Sequence, residues 1–147
     1  MTEACVMKIV VAVDGSPAST RAVEWCAAHA GALGAEVVAL YVVEMSVLAA
    51  SSVSLAPLPT LSEADRERLR DVVTREWCAP LAAAAVPFRV VMLDGSAAST
   101  IMEISDKEDA DLVVTGRRGL HGFTELLLGS TSHQLTLHLH RPLLIIS

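Results

Sequence analysis

Aromatic residues are scarce in this chain, at 3% of 147 positions, although hydrophobic residues make up 52%. A core with so few rings must be assembled from Ala, Val, Leu and Ile, which suits helices packed closely on a parallel sheet. Cysteine is thin as well. Cys5, Cys26 and Cys78 are far apart, odd in number and free of any CxxC or metal-like spacing, so buried or incidental thiols in a reducing cytosol are expected. Excess basic charge is missing too. A net charge of −6 and a pI near 5.3 argue against nucleic acid as the main partner, which leaves a basic footprint. No apolar run is fit to span a membrane, because the uncharged stretch 45–61 contains Pro57, Pro59 and several serines. The opening MTEACVMK carries an acidic residue and no apolar h-region, so no signal peptide is expected. These absences point to one domain over residues 1–147, cytoplasmic, with neither membrane nor nucleic acid as partner.

Catalytic signatures are missing in the same way. No glycine is followed by lysine, so the GxxxxGK[ST] phosphate loop is absent, as are GxSxG and HxGH. No residue stands out as a base that would activate water, and no catalytic residue is assigned. His121, His133, His138 and His140 raise the question of a metal. His138 and His140 are two apart and would face different directions on a helix, and no cysteine or carboxylate completes a ligand set at a usual spacing. No metal site is assigned.

What is present is an alternation of strand-like and helix-like segments. Met7–Val13 is a continuous β-branched run that reads as a strand buried on both faces. Ser16 and Pro17 are a natural N-cap and first helical residue, and Ala22, Cys26, Ala30 and Leu33 form one apolar face of a helix that Gly34 closes. Glu36–Val43 is a second strand. Residues 44–61 show no convincing period and read as a long loop, of the kind that is often functional. Ser62, followed by Asp65, starts a helix of the capping-box type with Leu69, Val72, Val73 and Trp77 as its buried stripe and a kink at Pro80. Trp25 and Trp77 read as core or interface residues rather than stacking platforms. Phe88–Leu93 is a third strand, Ala97–Lys107 a helix with Ile101 and Ile104 inward, and Leu112–Thr115 a fourth strand. A helix from Ser130 to about His140 has Leu135 and Leu139 inward, and Leu143–Ile146 is the last strand. The pattern argues an α/β fold, a doubly wound parallel sheet with helices on both faces.

The stretch from Asp111 to Ser132, DLVVTGRRGLHGFTELLLGSTS, organises the rest. A buried strand runs straight into Gly116, Arg117, Arg118 and Gly119, and Gly129, Ser130 and Thr131 follow where a helix begins. Glycine lets backbone approach a ligand closely, and the first N–H groups of a helix favour anions. With the two arginines this reads as a phosphate cradle, although either arginine is also compatible with a solvated loop charge. In doubly wound sheets the ligand lies beyond the carboxyl ends of the strands where the winding reverses. If the first and fourth strands are neighbours there, Asp14 and Gly116 share one crevice. Asp14 reads as a ligand residue on that ground, and otherwise as a turn residue before a helix.

At these residues the chain resembles the universal stress protein family. VVAVDGSPASTRAVEWCAAHA and DLVVTGRRGLHGFTELLLGSTS carry the resemblance, the second through G-x2-G-x9-G-[S/T] at Gly116, Gly119, Gly129 and Ser130, and RPLLIIS resembles the family's final strand. The likeness runs from Lys8 to Ser147 apart from the irregular stretch after Met45. It implies a five-stranded sheet in the order 3-2-1-4-5, a homodimer joined through the last strand, and ATP, with magnesium, as the cofactor. Carried over, it implies that Ala12, Val13 and Asp14 line the adenosine and that Val42 contacts the adenine. Gly116 and Gly119 would flank the ribose and phosphates, and Gly129, Ser130 and Thr131 would hold the phosphates. Thr115 and Arg117 complete the candidate binding set. The function expected is that of an ATP-binding, nucleotide-dependent regulator in stress response, with no or only slow hydrolysis. A nucleotide-dependent hydrolase or transferase of the same fold, and a ligand-free dimeric scaffold, are the alternatives.

Overall fold

The computed structural model describes residues 6–44, 61–119 and 128–147. The expectations for the loop before Leu61, for Cys5 and for His121 lie outside the described residues. Met7–Ala12 forms β1. Ser16 then caps α1 (Pro17–Leu33), its Oγ accepting the Ser19 N–H at 3.2 Å while Pro17, with no N–H to leave unpaired, occupies the first turn. Gly34 ends α1 in the left-handed region at φ 61°, and β2 (Ala35–Val43) follows. Ser62 caps α2 (Glu63–Val72): the Asp65 N–H donates to Ser62 Oγ at 3.1 Å, and that hydroxyl donates to the Asp65 carboxylate at 2.6 Å. This is the reciprocal start that Ser62 and Asp65 suggest.

The kink expected at Pro80 falls earlier. Val73–Trp77 forms a π turn, Cys78 interrupts the helix, and Pro80 lies in the first turn of α3 (Ala79–Ala83). In a straight helix the proline ring would collide with the carbonyl of Glu76, so the disruption is displaced to the N-terminal side of the proline. The chain continues through β3 (Phe88–Asp94), α4 (Ala97–Lys107), β4 (Leu112–Gly116), α5 (Ser130–His138) and β5 (Leu143–Ile146). Here α5 is shorter than expected. Leu139 already has extended backbone, at ψ 132°, so it is half-buried outside the helix, whereas Leu135 is fully buried. A proline at position 142 would clash with the carbonyl of His138 if the helix ran on.

All five strands are parallel, in the order β3-β2-β1-β4-β5. The hydrophobic alternation of β1 explains the two cores. Ile9, Val11 and Val13 face Ala22, Val23, Cys26 and Ala30 of α1 together with Val73 and Leu81. Val10, with Val38, Leu40 and Val113, faces Ile101, Ile104 and Leu135. Each fully buried Val, Ile or Leu contributes about 1.5–3 kcal/mol. The buried face of α1 consists largely of small side chains, which brings that helix close to the sheet. Cys26 and Cys78 pack within this layer, and burial pushes their thiols up to about 12 and about 11. Both are therefore protonated packing residues with little nucleophilic character.

At the far end of the sheet, Glu108 closes α4 and receives Arg89 and Lys8, the latter with Nζ at 3.4 Å. The hydrogen bond from Arg89 holds the Glu108 carboxyl below the usual carboxylate range; burial opposes this, and the charges of Arg89 and Lys8 add to the lowering. A depressed folded-state pKa contributes stability above the unfolded value, near 4.3, and that contribution is lost as pH falls through the folded value. Glu108→Gln is therefore expected to lower stability at neutral pH and to flatten its decline below about pH 5. Urea midpoints across that range check this; parallel acid limbs in both proteins would refute it.

Candidate functional site

Strands β1 and β4 lie side by side, yet the chain leaves β1 toward β2 and leaves β4 toward β5. Beyond this reversal of winding, where ligands collect in such sheets, the carboxyl ends of β1, β2 and β4 open into a crevice of about 390 Å³. Ala12, Val13 and Asp14 line it from β1, Val42 from β2, Thr115, Gly116 and Gly119 from β4 and the turn after it, and Gly129, Ser130 and Thr131 from the start of α5. The residues singled out in the sequence are thus brought together from chain segments about a hundred positions apart.

Arg117 is the exception. It does not line the crevice; Arg118 does. The Arg117 backbone is structural: its N–H donates to the Ile146 carbonyl at 2.7 Å, and its own carbonyl accepts the Gly129 N–H at 2.8 Å and the Ser132 hydroxyl at 2.8 Å. Adjacent loop residues face different ways, so only one of the two arginines turns inward. Its Nε is buried with no hydrogen-bond partner among the described residues.

Hydrogen bonds tie the two loops together. The Ser16 N–H donates to Asp14 Oδ1 at 2.8 Å, the Asp14 N–H donates to Ser19 Oγ at 3.1 Å, and Ser16 Oγ donates to the Arg118 carbonyl at 3.4 Å. Three helices begin near the crevice, and they differ. Ser16 caps α1, and the first N–H of α4, at Ala97, donates to Glu44 Oε1 at 3.3 Å. The start of α5 follows Gly129 and has no side-chain cap among the described residues. That start and the buried Arg118 Nε form the electropositive end of the crevice. At the other end Leu40, Val42 and Ile101 are apolar. Tyr41 and Glu44, also lining residues, escaped sequence reasoning, although their place at the carboxyl end of β2 is a signal of sorts. Burial raises the Tyr41 phenol pKa, with the charges of Asp14 and Glu44 adding to the effect.

The model of the universal stress protein family matches residues 6–147. The chain belongs to this family. A universal stress protein of Methanocaldococcus jannaschii is 34% identical over 145 residues, covering 95% of this chain and 81% of the relative. The universal stress protein YxiE of Bacillus subtilis is 29% identical over 146 residues, covering 95% and 97%. Among solved structures, a universal stress protein in complex with cAMP superposes with a TM-score of 0.70 at 22% identity, over 96% of each chain. One from Archaeoglobus fulgidus in complex with dAMP gives 0.70 at 18% identity, over 96% of this chain and 98% of the other. At these identities the structural likeness shows a shared universal stress protein fold.

In this universal stress protein the three glycines of the pattern also allow close packing around the crevice that they line. A Cβ on Gly116 would lie 2.7 Å from the Ala18 carbonyl carbon and from its Cβ, and 2.9 Å from the Ser19 nitrogen. Gly116 thus admits the close approach of α1 as well as lining the crevice. A Cβ on Gly119 would meet the Asp14 carboxylate at 2.8 Å, and one on Gly129 the Arg117 carbonyl at 3.1 Å. Among the described residues no group of three His, Cys, Asp or Glu side chains is arranged to hold a metal, and no helix is long and apolar enough to cross a membrane.

Proposed function

We propose that this universal stress protein binds ATP, with magnesium, in the crevice beyond β1, β2 and β4, and acts as a nucleotide-dependent regulator in stress response. The observation that carries the reading is the electropositive end of the crevice, where a buried guanidinium nitrogen and the start of α5 both lack a side-chain partner among the described residues. A phosphate chain supplies the acceptors that both lack. The related structures in complex with cAMP and dAMP support an adenine nucleotide as the ligand class.

Arg118 and the backbone N–H groups of Ser130 and Thr131 would hold the phosphates, with the Ser130 and Thr131 hydroxyls beside them and Gly129 letting the chain come close. Gly116, Thr115 and Gly119 form the floor, and the Asp14 carboxylate accepts from the ribose hydroxyls. Ala12, Val13, Val42 and Ile101 offer apolar surface to the adenine. The bound nucleotide contributes charge that joins two loops and so favours one conformation of both. Hydrolysis is absent or slow in this reading. Asp14 and Glu44, the carboxylates of the crevice wall, each accept a backbone N–H on one oxygen, and in this reading Asp14 is engaged by the ribose. The proposal extends to one domain over 1–147, a cytoplasmic location and a homodimer joined through β5, a half-buried edge strand that a second copy would cover.

Calorimetry with ATP and magnesium tests the reading, on the native protein and on a Gly119→Val, Gly129→Val variant. A side chain at Gly119 would meet the Asp14 carboxylate and one at Gly129 the Arg117 carbonyl, both within the two loops of the crevice, so the variant is expected to lose saturable binding, with its denaturation curve checking that it is folded. Native protein that binds no adenine nucleotide would exclude the proposal. Turnover measured on the same sample separates the regulator from a hydrolase.

A further inference from the structure

We propose that Trp77 is a positioning residue for the crevice, a buttress that keeps the Asp14–Gly15–Ser16 turn in its ligand-ready shape. The inference rests on the nucleotide-binding reading above. Gly15 has φ +79°, in the left-handed region, and the Trp77 ring lies directly against it: a Cβ built on Gly15 would be 2.5 Å from Cζ2 and 2.8 Å from Cε2. No side chain fits between turn and indole. The indole is steadied in turn by Tyr41, whose ring meets it edge-on at a centroid distance of 5.6 Å and an interplanar angle of 63°. Tyr41 is itself a residue of the crevice wall.

The π turn supplies the reach. Trp77 is its last residue, and the extra residue within a π turn re-aims the side chains that follow. Without it, the helix would present a different side chain to the turn. Gly15 alone has a wide choice of conformations. With one side closed by the indole, its left-handed geometry is retained, and with it the Asp14 carboxylate, the Ser16 N–H on Asp14, and the Ser16 hydroxyl on the Arg118 carbonyl. The ordering cost of the turn is then met during folding and not at binding. Affinity at the crevice consequently depends on how the α2–α3 unit packs, although nothing in that unit's π turn lines the crevice.

Two experiments decide this. In a Trp25→Phe background Trp77 is the remaining tryptophan, and its emission is expected to shift or quench saturably as ATP with magnesium is added. By calorimetry, Trp77→Ala is expected to weaken ATP binding about 10-fold or more, and Trp77→Phe, which keeps a ring against Gly15, to restore most of it. Val86→Ala, in the same apolar cluster but off the crevice, is expected to lower stability with affinity unchanged. Unchanged affinity in Trp77→Ala overturns the inference, as does an equal loss in Val86→Ala. Should Trp77→Ala fail to fold, the emission decides: a flat signal at saturation overturns it. A native protein that binds no adenine nucleotide overturns the proposed function itself, a result distinct from native binding that ignores Trp77.

Discussion

Alanine in place of Gly116 is expected to lower the stability of this protein by about 3 kcal/mol, or roughly 10 °C in Tm. The added methyl would overlap the backbone of Ala18 and Ser19 at 2.7–2.9 Å, and backbone cannot swing aside as the end of a long side chain does. Either α1 lifts from β4, opening the layer of Ile9, Val11, Ala22 and Cys26, or β4 is pushed out of register with β1. Both outcomes disturb a dense interior in which one extra methyl is felt. Gly31 gives the opposite sign on the same helix. Nothing lies within 4 Å of a Cβ built there, so Gly31→Ala is expected to stabilise by about 0.5–1 kcal/mol through helix propensity. Urea midpoints of the two variants make the comparison. Equal behaviour would mean that α1 does not approach β4 as closely as described.

Arg118→Met is expected to weaken ATP about 10- to 100-fold, to leave adenosine affinity unchanged, and to leave the free protein as stable as before or more so. The first effect follows from the loss of a charge-assisted bond to phosphate, worth about 1.5–3 kcal/mol. The second follows because the loss is confined to the electropositive end of the crevice. The third is the more demanding expectation. In the free protein the buried Nε has no partner among the described residues, and an unsatisfied buried donor costs free energy that methionine does not incur. Opposite signs for stability and affinity would mark a residue kept for its ligand and not for the fold. Calorimetry with ATP and with adenosine, alongside denaturation of the free protein, gives all three numbers. A folded variant with native ATP affinity would remove Arg118 from the site.

Much of the architecture was legible because local chemistry and global fold agree. Ser16–Pro17, Gly34 and the Ser62/Asp65 pair announce helix ends through capping alone, and the structure uses each as such. The β-branched runs mark strands buried on both faces, and their alternation with helices leads to a doubly wound parallel sheet, while the strand order 3-2-1-4-5 comes from the family resemblance and matches the structure. The crevice itself was legible through the winding rule that sets Asp14 beside Gly116. What was not legible depends on direction or on distant neighbours. Which of two adjacent arginines turns inward is decided by the Arg117 carbonyl meeting Gly129 and Ser132, a tertiary arrangement. The purpose of Gly116 is set by α1, almost a hundred residues earlier in the chain. A π turn has no distinct periodicity over five residues, so the proline after it drew the attention instead. Tyr41 and Glu44 carry no motif and become crevice residues only because β2 ends there.

The pairing of Ile9 with Leu112 has a consequence for how the protein is made. Contacts this distant in sequence close a large loop of chain, and folds dominated by them mature slowly. A ribosome that has released β1, α1, β2 and β3 has produced the β1 and β2 side of the crevice and not the rest, since β4 and the start of α5 are still to come. Any ligand of the crevice recognises only the mature fold and stabilises it by mass action. Occupancy is thus a test of completeness, one that a chain arrested before Leu112 fails however well its first three strands have paired.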